Sequence, residues 1–465
     1  SPTNGTLVFD TGTQSYWYRQ AGVWVELPKG GNMANYWQLS GMAGNEITHT
    51  NSGGFWSKNP VAVPFTADTI SNPPTVPVNE AGTRLMWIPN RSAFRAGTVS
   101  NTSIWSASKI GLFSFASGFD TQANGKWSTA MGNVTTASGL GSVALGSGNN
   151  ATNEASVALG ALNNATGYVS TTTGYLNSAS GYVSTAMGYN THASSAYTTA
   201  IGNYTTASGE GALATGGYTT ASGSYATAMG AHTWASGQYA TAMGYVTAAS
   251  GRLSTAMGYG ANTDYYAGAF IIGDSDPNNE GVTYSGATDQ FVARYWNGYY
   301  LMTSGNQART GVQIAHGQSA WSAISDSTRK EKIVLADGES FLLKLRNLRL
   351  GSWNYKNQGT KPERFYGPMA QEIFTAFGKD QYGTIGNDTT VSTLNMDGLL
   401  FIFSQALEKR TQDLKNYVHN LEKCTEILEA ENRQLKDFMQ KMEARLQQLE
   451  SSSATDTEKK QIADK

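Results

Sequence analysis

Ser325 and Lys330 are the pair in this chain whose types and spacing suggest covalent chemistry. A serine hydroxyl lies within reach of the carbonyl that precedes its own amide, and covalent connection supplies the effective concentration for attack. A lysine can take the hydroxyl proton only as a neutral amine, which requires burial to disfavour its charge. An interface between copies of the chain would supply that burial. The pair lies in Ser325-Asp-Ser-Thr-Arg-Lys330-Glu-Lys-Ile333, a charged strip in a chain that is only 14% charged. On spacing alone, a Ser and a Lys five apart in such a strip read more readily as a solvated face. The remaining sequence offers no other reaction. His49, His192, His232, His316 and His419 form no ligand spacing, so no metal is expected. The glycines keep a strict clock without the Lys-Ser/Thr ending of a phosphate loop, so no nucleotide cofactor is expected. No pair of carboxylates is set out as a glycosidase requires.

Two repeating frameworks flank the pair and must position it. C-terminal to it, Leu400, Leu407, Leu414, Leu421, Leu428, Leu435, Met442 and Leu449 recur every seven residues. The partner row is Thr411, Val418, Thr425, Asn432, Met439 and Leu446. Spacing held this long predicts a coiled coil over 399–450, with Leu407, Leu414, Leu421, Leu428 and Leu435 between copies and Asn432 as a register pin. Cys424 flanks this seam as a packed thiol. The polar tail, 451–465, is expected to be disordered. Between the pair and the heptads, the helix-like run at 339–345, Leu350-Gly-Ser-Trp-Asn-Tyr355 and Tyr366-Gly-Pro-Met-Ala-Gln-Glu372 predict a small α+β domain over 325–398.

N-terminal to the pair, Gly118, Gly132, Gly146 and their successors to Gly258 stand 14 residues apart without a slip. A second series follows each by seven, from Gly125 to Gly251, broken only by Asn153 and Ser195. Alanine keeps the same clock. A fixed period means stacked units, and so much Gly, Thr and Ser excludes helix. Each half-unit predicts a short strand ending in a Gly turn, where positive φ is cheap. The result is a flattened parallel β-roll over 111–263, roughly 50 Å long at about 4.8 Å per coil. Met131, Leu145, Leu159, Met187, Ile201, Met229, Met243 and Met257 precede the first-series glycines, with Thr173 and Thr215 interrupting the row. Neighbouring strand residues point to opposite faces. With Ala in the narrow lumen, these side chains face outward. Each gains about 1.5–3 kcal/mol on burial, so the row predicts self-association.

The rest of the chain reads as accessory structure. Residues 1–30 form a small β module, and 31–84 a Gly/Pro/Asn-rich linker or irregular β segment. Residues 85–110 cap the roll, and 264–324 form a β neck where the period is lost. Tyrosines recurring along the roll predict a structural ladder, with a glycan platform as the alternative. Net charge is −2, giving no electrostatic case for nucleic acid. No run approaches the 18 apolar residues of a membrane helix. A single Cys leaves stability to packing and assembly. The chain opens at Ser1-Pro2 without a basic-then-apolar leader, so a signal was removed or never existed.

Two resemblances join these readings. Ser254-Thr-Ala-Met-Gly258 and Ser142-Val-Ala-Leu-Gly146 resemble the head repeats of trimeric autotransporter adhesins of the YadA type. That resemblance implies left-handed parallel β-rolls, three side by side. Ser325-Asp326, Lys330, Ile333, the Gly-Pro-Met-Ala-Gln stretch and the terminal heptads are similar to the S74 peptidase family. Its members are intramolecular chaperones of phage tail fibres and endosialidases. That family trimerises its client and then cuts itself off. The resemblance makes Ser325 the nucleophile, Lys330 the general base, and Ile324–Ser325 the bond broken. The family often shows Arg three places after the Ser; here Thr328 holds that place and the Arg is Arg329. Together these predict a mainly β homotrimer, with a β-roll, a β neck, an α+β chaperone domain and a trimeric coiled coil. It would be an extracellular fibre or adhesin on a bacterial surface or a virion tail, facing a cell-surface or glycan receptor. Two alternatives are a phage-like injection-device fibre and a secreted glycan-degrading enzyme on the same chaperone. A true autotransporter ends in a β-barrel anchor, whereas this sequence ends in heptads and a Ser/Lys tail, so anchoring is expected to come from elsewhere.

Overall fold

The structure, a computed structural model, describes residues 3–27, 37–40, 46–49, 63, 76, 78–275, 281–304, 310–323, 325, 327–357, 359–360 and 363–463. The chain divides into two units, Ser1–Arg294 and Tyr295–Lys465.

The first unit opens with an antiparallel sheet of Leu7–Asp10, Ser15–Gln20 and Val23–Glu26. A hairpin of Trp37–Ser40 and Glu46–His49 follows. Most of the expected linker over 31–84 lies outside the described residues. Gly82–Ile88 and Ala93–Val99 then pair antiparallel, and Ala93–Val99 lies parallel to Phe115–Phe119. This hairpin covers the first coil over a core of Met86, Ile88, Val99, Trp105 and Ile110. Arg95 is fully buried beneath it. Its guanidinium donates to Ser114 Oγ and to the Ala123 carbonyl, each at 2.9 Å. With no carboxylate beside it, burial lowers its pKa to about 10.

Eleven long strands follow at a 14-residue step, from Phe115–Phe119 to Thr255–Tyr259. Each pairs parallel with the next in fixed register, as in Ala130↔Ala144 and Met131↔Leu145. Short strands such as Thr136–Ala137 and Asn150–Ala151 stack the same way on the other side of the coil. The alanines of both sets are fully buried and face each other in the lumen. The predicted β-roll is therefore present, with Ala inside and the Met row outside.

The glycines do a different job from the turns expected of them. Gly132 lies inside the strand Thr129–Asn133, at φ +118°. A Cβ there would stand 2.0 Å from the Gly146 carbonyl oxygen of the next coil. In the second series, a Cβ on Gly139 would stand 1.8 Å from the Asn153 oxygen. Close stacking of backbone on backbone, rather than turning, demands glycine in the first series and favours it in the second, where Asn153 and Ser195 are also accommodated. The left-handed turn residues fall two places later and are mostly bulky: Val134, Val169, Val183 and Val246 sit at φ +51° to +55°. Left-handed conformation costs an L-residue about 1–2 kcal/mol, and the stack holds it at nearly every turn.

A second internal row escaped the sequence reading. Asn149, Asn163 and Asn177 are buried in successive coils. Asn163 Nδ2 donates to the Leu159 and Gly174 carbonyls at 2.8 Å, while its Oδ1 accepts from the Asn177 amide at 2.9 Å. Where other coils place Thr, the hydroxyls of Thr135, Thr205, Thr219, Thr233 and Thr247 are buried without a hydrogen-bond partner.

The stack also outlasts the period. Phe270–Gly273 lies parallel on Thr255–Tyr259, and Phe291–Arg294 lies parallel on Phe270–Gly273. The expected boundary at 264 is thus too early. The connections lengthen, so the glycine clock stops, yet strand stacking needs only matched strands. What was expected as neck includes these last layers. The separate antiparallel sheet of Tyr299–Met302, Gly311–Ile314 and Ser322–Ala323 belongs to the second unit.

The second unit also holds helices α1 (Gly338–Leu345), α2 (Ala370–Phe377) and α3 (Thr393–Ala463). The Asp337 side chain caps α1 by accepting from the Glu339 amide. Leu342, Phe377, Leu399, Phe403 and Ala406 form the core, so the first turns of α3 belong to the small domain. Beyond Arg410, α3 is exposed throughout its described side chains. It also runs through the tail expected to be disordered. There the hydroxyls of Ser451, Ser452 and Ser453 donate back to the carbonyls of Gln448, Leu449 and Glu450. These bonds satisfy the polar side chains within helical geometry.

Candidate active site and assembly surface

Ser325 follows the strand Ser322–Ala323, and a 3₁₀ turn at Ser327–Arg329 reverses the chain behind it. The Lys330 amide donates to the Ser327 carbonyl and closes the turn. Fully extended, five residues would separate the two side chains by roughly 16 Å. The turn instead places Lys330 Nζ 2.6 Å from Ser325 Oγ. That is within the reach a general base needs to take a hydroxyl proton. Both residues are exposed in the single chain. Ile324, on the other side of the expected scissile bond, lies outside the described residues, as does Asp326.

Two ion pairs link elements within the small domain. Arg410 on α3 donates to both Glu339 carboxylate oxygens on α1, at 2.6 and 2.9 Å. Hydrogen bonding to Arg410 holds the Glu339 carboxyl below the usual carboxylate range. The Arg349 amide and side chain do the same for Glu372 on α2.

The expected association residues are aligned but uncovered. Met131, Leu145 and Leu159 are in register from coil to coil, as are Met187 with Ile201, and Met229, Met243 and Met257. Met131, Met187 and Ile201 are exposed, and Leu145, Leu159, Met229, Met243 and Met257 are half-buried. On α3, Leu407, Leu414, Leu421, Leu428 and Leu435 are each about half exposed, from 47% to 63%. These side chains are unpartnered apolar surface, not core of the single chain. Cys424 is exposed beside them.

The tyrosines form the ladder that their recurrence predicted. Tyr168 stacks on Tyr182 at 5.0 Å with planes 7° apart, and Tyr225 on Tyr239 at 5.6 Å and 10°. At these steps each ring covers its neighbour's face. Glu210 beside Tyr225 raises that phenol's pKa through its charge.

Among the described residues, no three His, Cys, Asp or Glu side chains are placed to hold a metal. No helix there is long and apolar enough to cross a membrane, which says nothing of β-barrels.

Comparison with known families agrees with both resemblances. Residues 325–380 match the Peptidase S74 family, described as the chaperone of endosialidase. Residues 137–163, 179–205, 207–233, 221–247 and 249–264 match the YadA head domain repeat. No curated protein matches the chain.

Proposed function

We propose that this chain is a homotrimeric extracellular fibre or adhesin-like protein, whose C-terminal chaperone drives assembly and then releases itself before Ser325. The observation that carries the release step is the contact of Lys330 Nζ with Ser325 Oγ, at the first residue of the S74 match. The exposed, in-register apolar row on the roll and the uncovered leucines of α3 support association. The family matches support a surface or tail-fibre location.

In this reaction Ser325 Oγ attacks the Ile324 carbonyl carbon while its proton passes to Lys330 Nζ. The C–N bond between Ile324 and Ser325 breaks, and the leaving nitrogen takes that proton from Lys330. An ester joins the Ile324 carbonyl to Ser325 Oγ. Water then hydrolyses it to an Ile324 carboxylate and a free Ser325 hydroxyl. Lys330 must be neutral at the start, and burial against neighbouring copies favours the neutral form. Cleavage therefore reports assembly.

A denaturing gel tests the step. The wild type should yield a 325–465 fragment, whereas Ser325→Ala and Lys330→Met should remain full length. Full-length chain from all three would remove self-cleavage while leaving the fibre reading intact.

A further inference from the structure

Each coil of the roll turns twice, at opposite edges. The first turn follows the long strand and the second follows the short one. Four residues among Asp, Glu, Lys and Arg occur over positions 121–262: Lys126, Glu154, Glu210 and Arg252. All four occupy the same place, one residue after a second-series position, and so all lie at the second turn. The first turn carries none over that span. Outside that span, Asp120 of the opening coil is occupied by the Ser100 amide and hydroxyl, each at 2.6 Å, and Asp274 follows the late strand Phe270–Gly273.

The first turn carries aromatic rings instead. An unbroken spine runs from Tyr175 to Tyr259, each ring touching the next at 5.0–5.8 Å. It passes through Tyr189, Tyr204, Tyr218 and His232. It also borders the outward Met row, because Met187 and Tyr189 flank the same glycine. Protein interfaces deplete charge at their centre and enrich aromatics and Met, since a buried charge without a partner is costly. The second turn's aromatics are interrupted by Gly141 and Gly211 and interleaved with charge.

From this partition we infer that the first turn, with its aromatic spine and the adjoining Met row, is the surface on which a second copy of this chain packs, and that the second turn faces solvent. The inference rests on the association reading above and adds which edge of the roll is inside.

Single-chain exposure does not distinguish the two edges. Tyr204 and Tyr218 are 41% and 50% exposed, against 51% and 45% for Tyr225 and Tyr239. A labelling difference between them must therefore come from a partner. In the full chain carrying Cys424→Ser, each of the four tyrosines is replaced singly by Cys and reacted with a maleimide. Native mass is measured in parallel. Tyr204→Cys and Tyr218→Cys should label at least tenfold more slowly than Tyr225→Cys and Tyr239→Cys, and all four alike after denaturation. Equal or reversed native rates in a three-copy assembly would overturn the edge assignment alone. A single-copy mass would overturn the association reading and this inference with it. Tyr189→Cys, in a strand and not at a left-handed turn, repeats the slow arm if the turn variants do not fold.

Discussion

Replacing Gly202 by Ala should open the roll locally, whereas the same change at Gly217 should not. A Cβ on Gly202 would stand 1.9 Å from the Gly216 carbonyl oxygen and 3.0 Å from its nitrogen, with φ at +130°. The obstacle is backbone, so no side-chain rotation relieves it. The strand Thr199–Asn203 must retreat from Leu213–Gly217 by roughly an ångström to reach ordinary contact. The φ alone costs about 1–3 kcal/mol. Loosening two flanking backbone hydrogen bonds costs roughly 0.5–1.5 kcal/mol each. A total near 4 kcal/mol is about a thousandfold in the opening constant, at roughly 1.4 kcal/mol per decade. Gly217 has nothing within 4 Å of its Cβ position and no left-handed φ, so Ala there should change stability by at most about 0.5 kcal/mol. Because solenoid coils contact mainly their neighbours, amide hydrogen exchange is the suitable assay. Protection over residues 199–217 should fall about a thousandfold in Gly202→Ala and stay unchanged in Gly217→Ala. Equal protection in the two variants would refute the view that glycine is required here by stacking.

Two further outcomes follow from the same geometry. Met243→Asp with Met257→Asp should lower the mass of the released 1–324 product from three copies toward one, as read by native mass spectrometry. An unchanged three-copy product would show that this row is not an interface. The Glu339–Arg410 pair should make α1 acid-sensitive. The folded-state pKa of Glu339 is depressed, so its contribution is complete above the ordinary carboxylate range and is lost as pH falls through the lower folded value. Protection factors of α1 amides, corrected for the intrinsic slowing of exchange at lower pH, should fall on acidification in the wild type and lose that dependence in Glu339→Gln.

The roll was legible because one coil is written again and again. Ala in the lumen and Met outside follow from strand alternation on a 14-residue step. What could not be read was why each glycine is there. Composition says that Gly permits a turn, but only coil-on-coil distance shows Gly132 and Gly139 pressed against the next layer while Val134 turns the chain. The Asn149–Asn163–Asn177 row went unread although it keeps the 14-residue step, because its bonding depends on carbonyls brought close by stacking. The layers through Arg294 were hidden because their connections changed length while their strands still matched. The Ser–Lys contact was suggested by residue type and by family resemblance. Its closeness depends on the short turn at Ser327–Arg329, which spacing alone does not specify.

Each layer of the roll meets the one above and the one below through the same small set of atoms, in the same alignment. Deleting or duplicating one 14-residue block therefore brings together surfaces that already fit. The length of such a roll can be adjusted in whole steps of about 4.8 Å. A genome can thus lengthen or shorten it by copying a unit, without inventing a new contact.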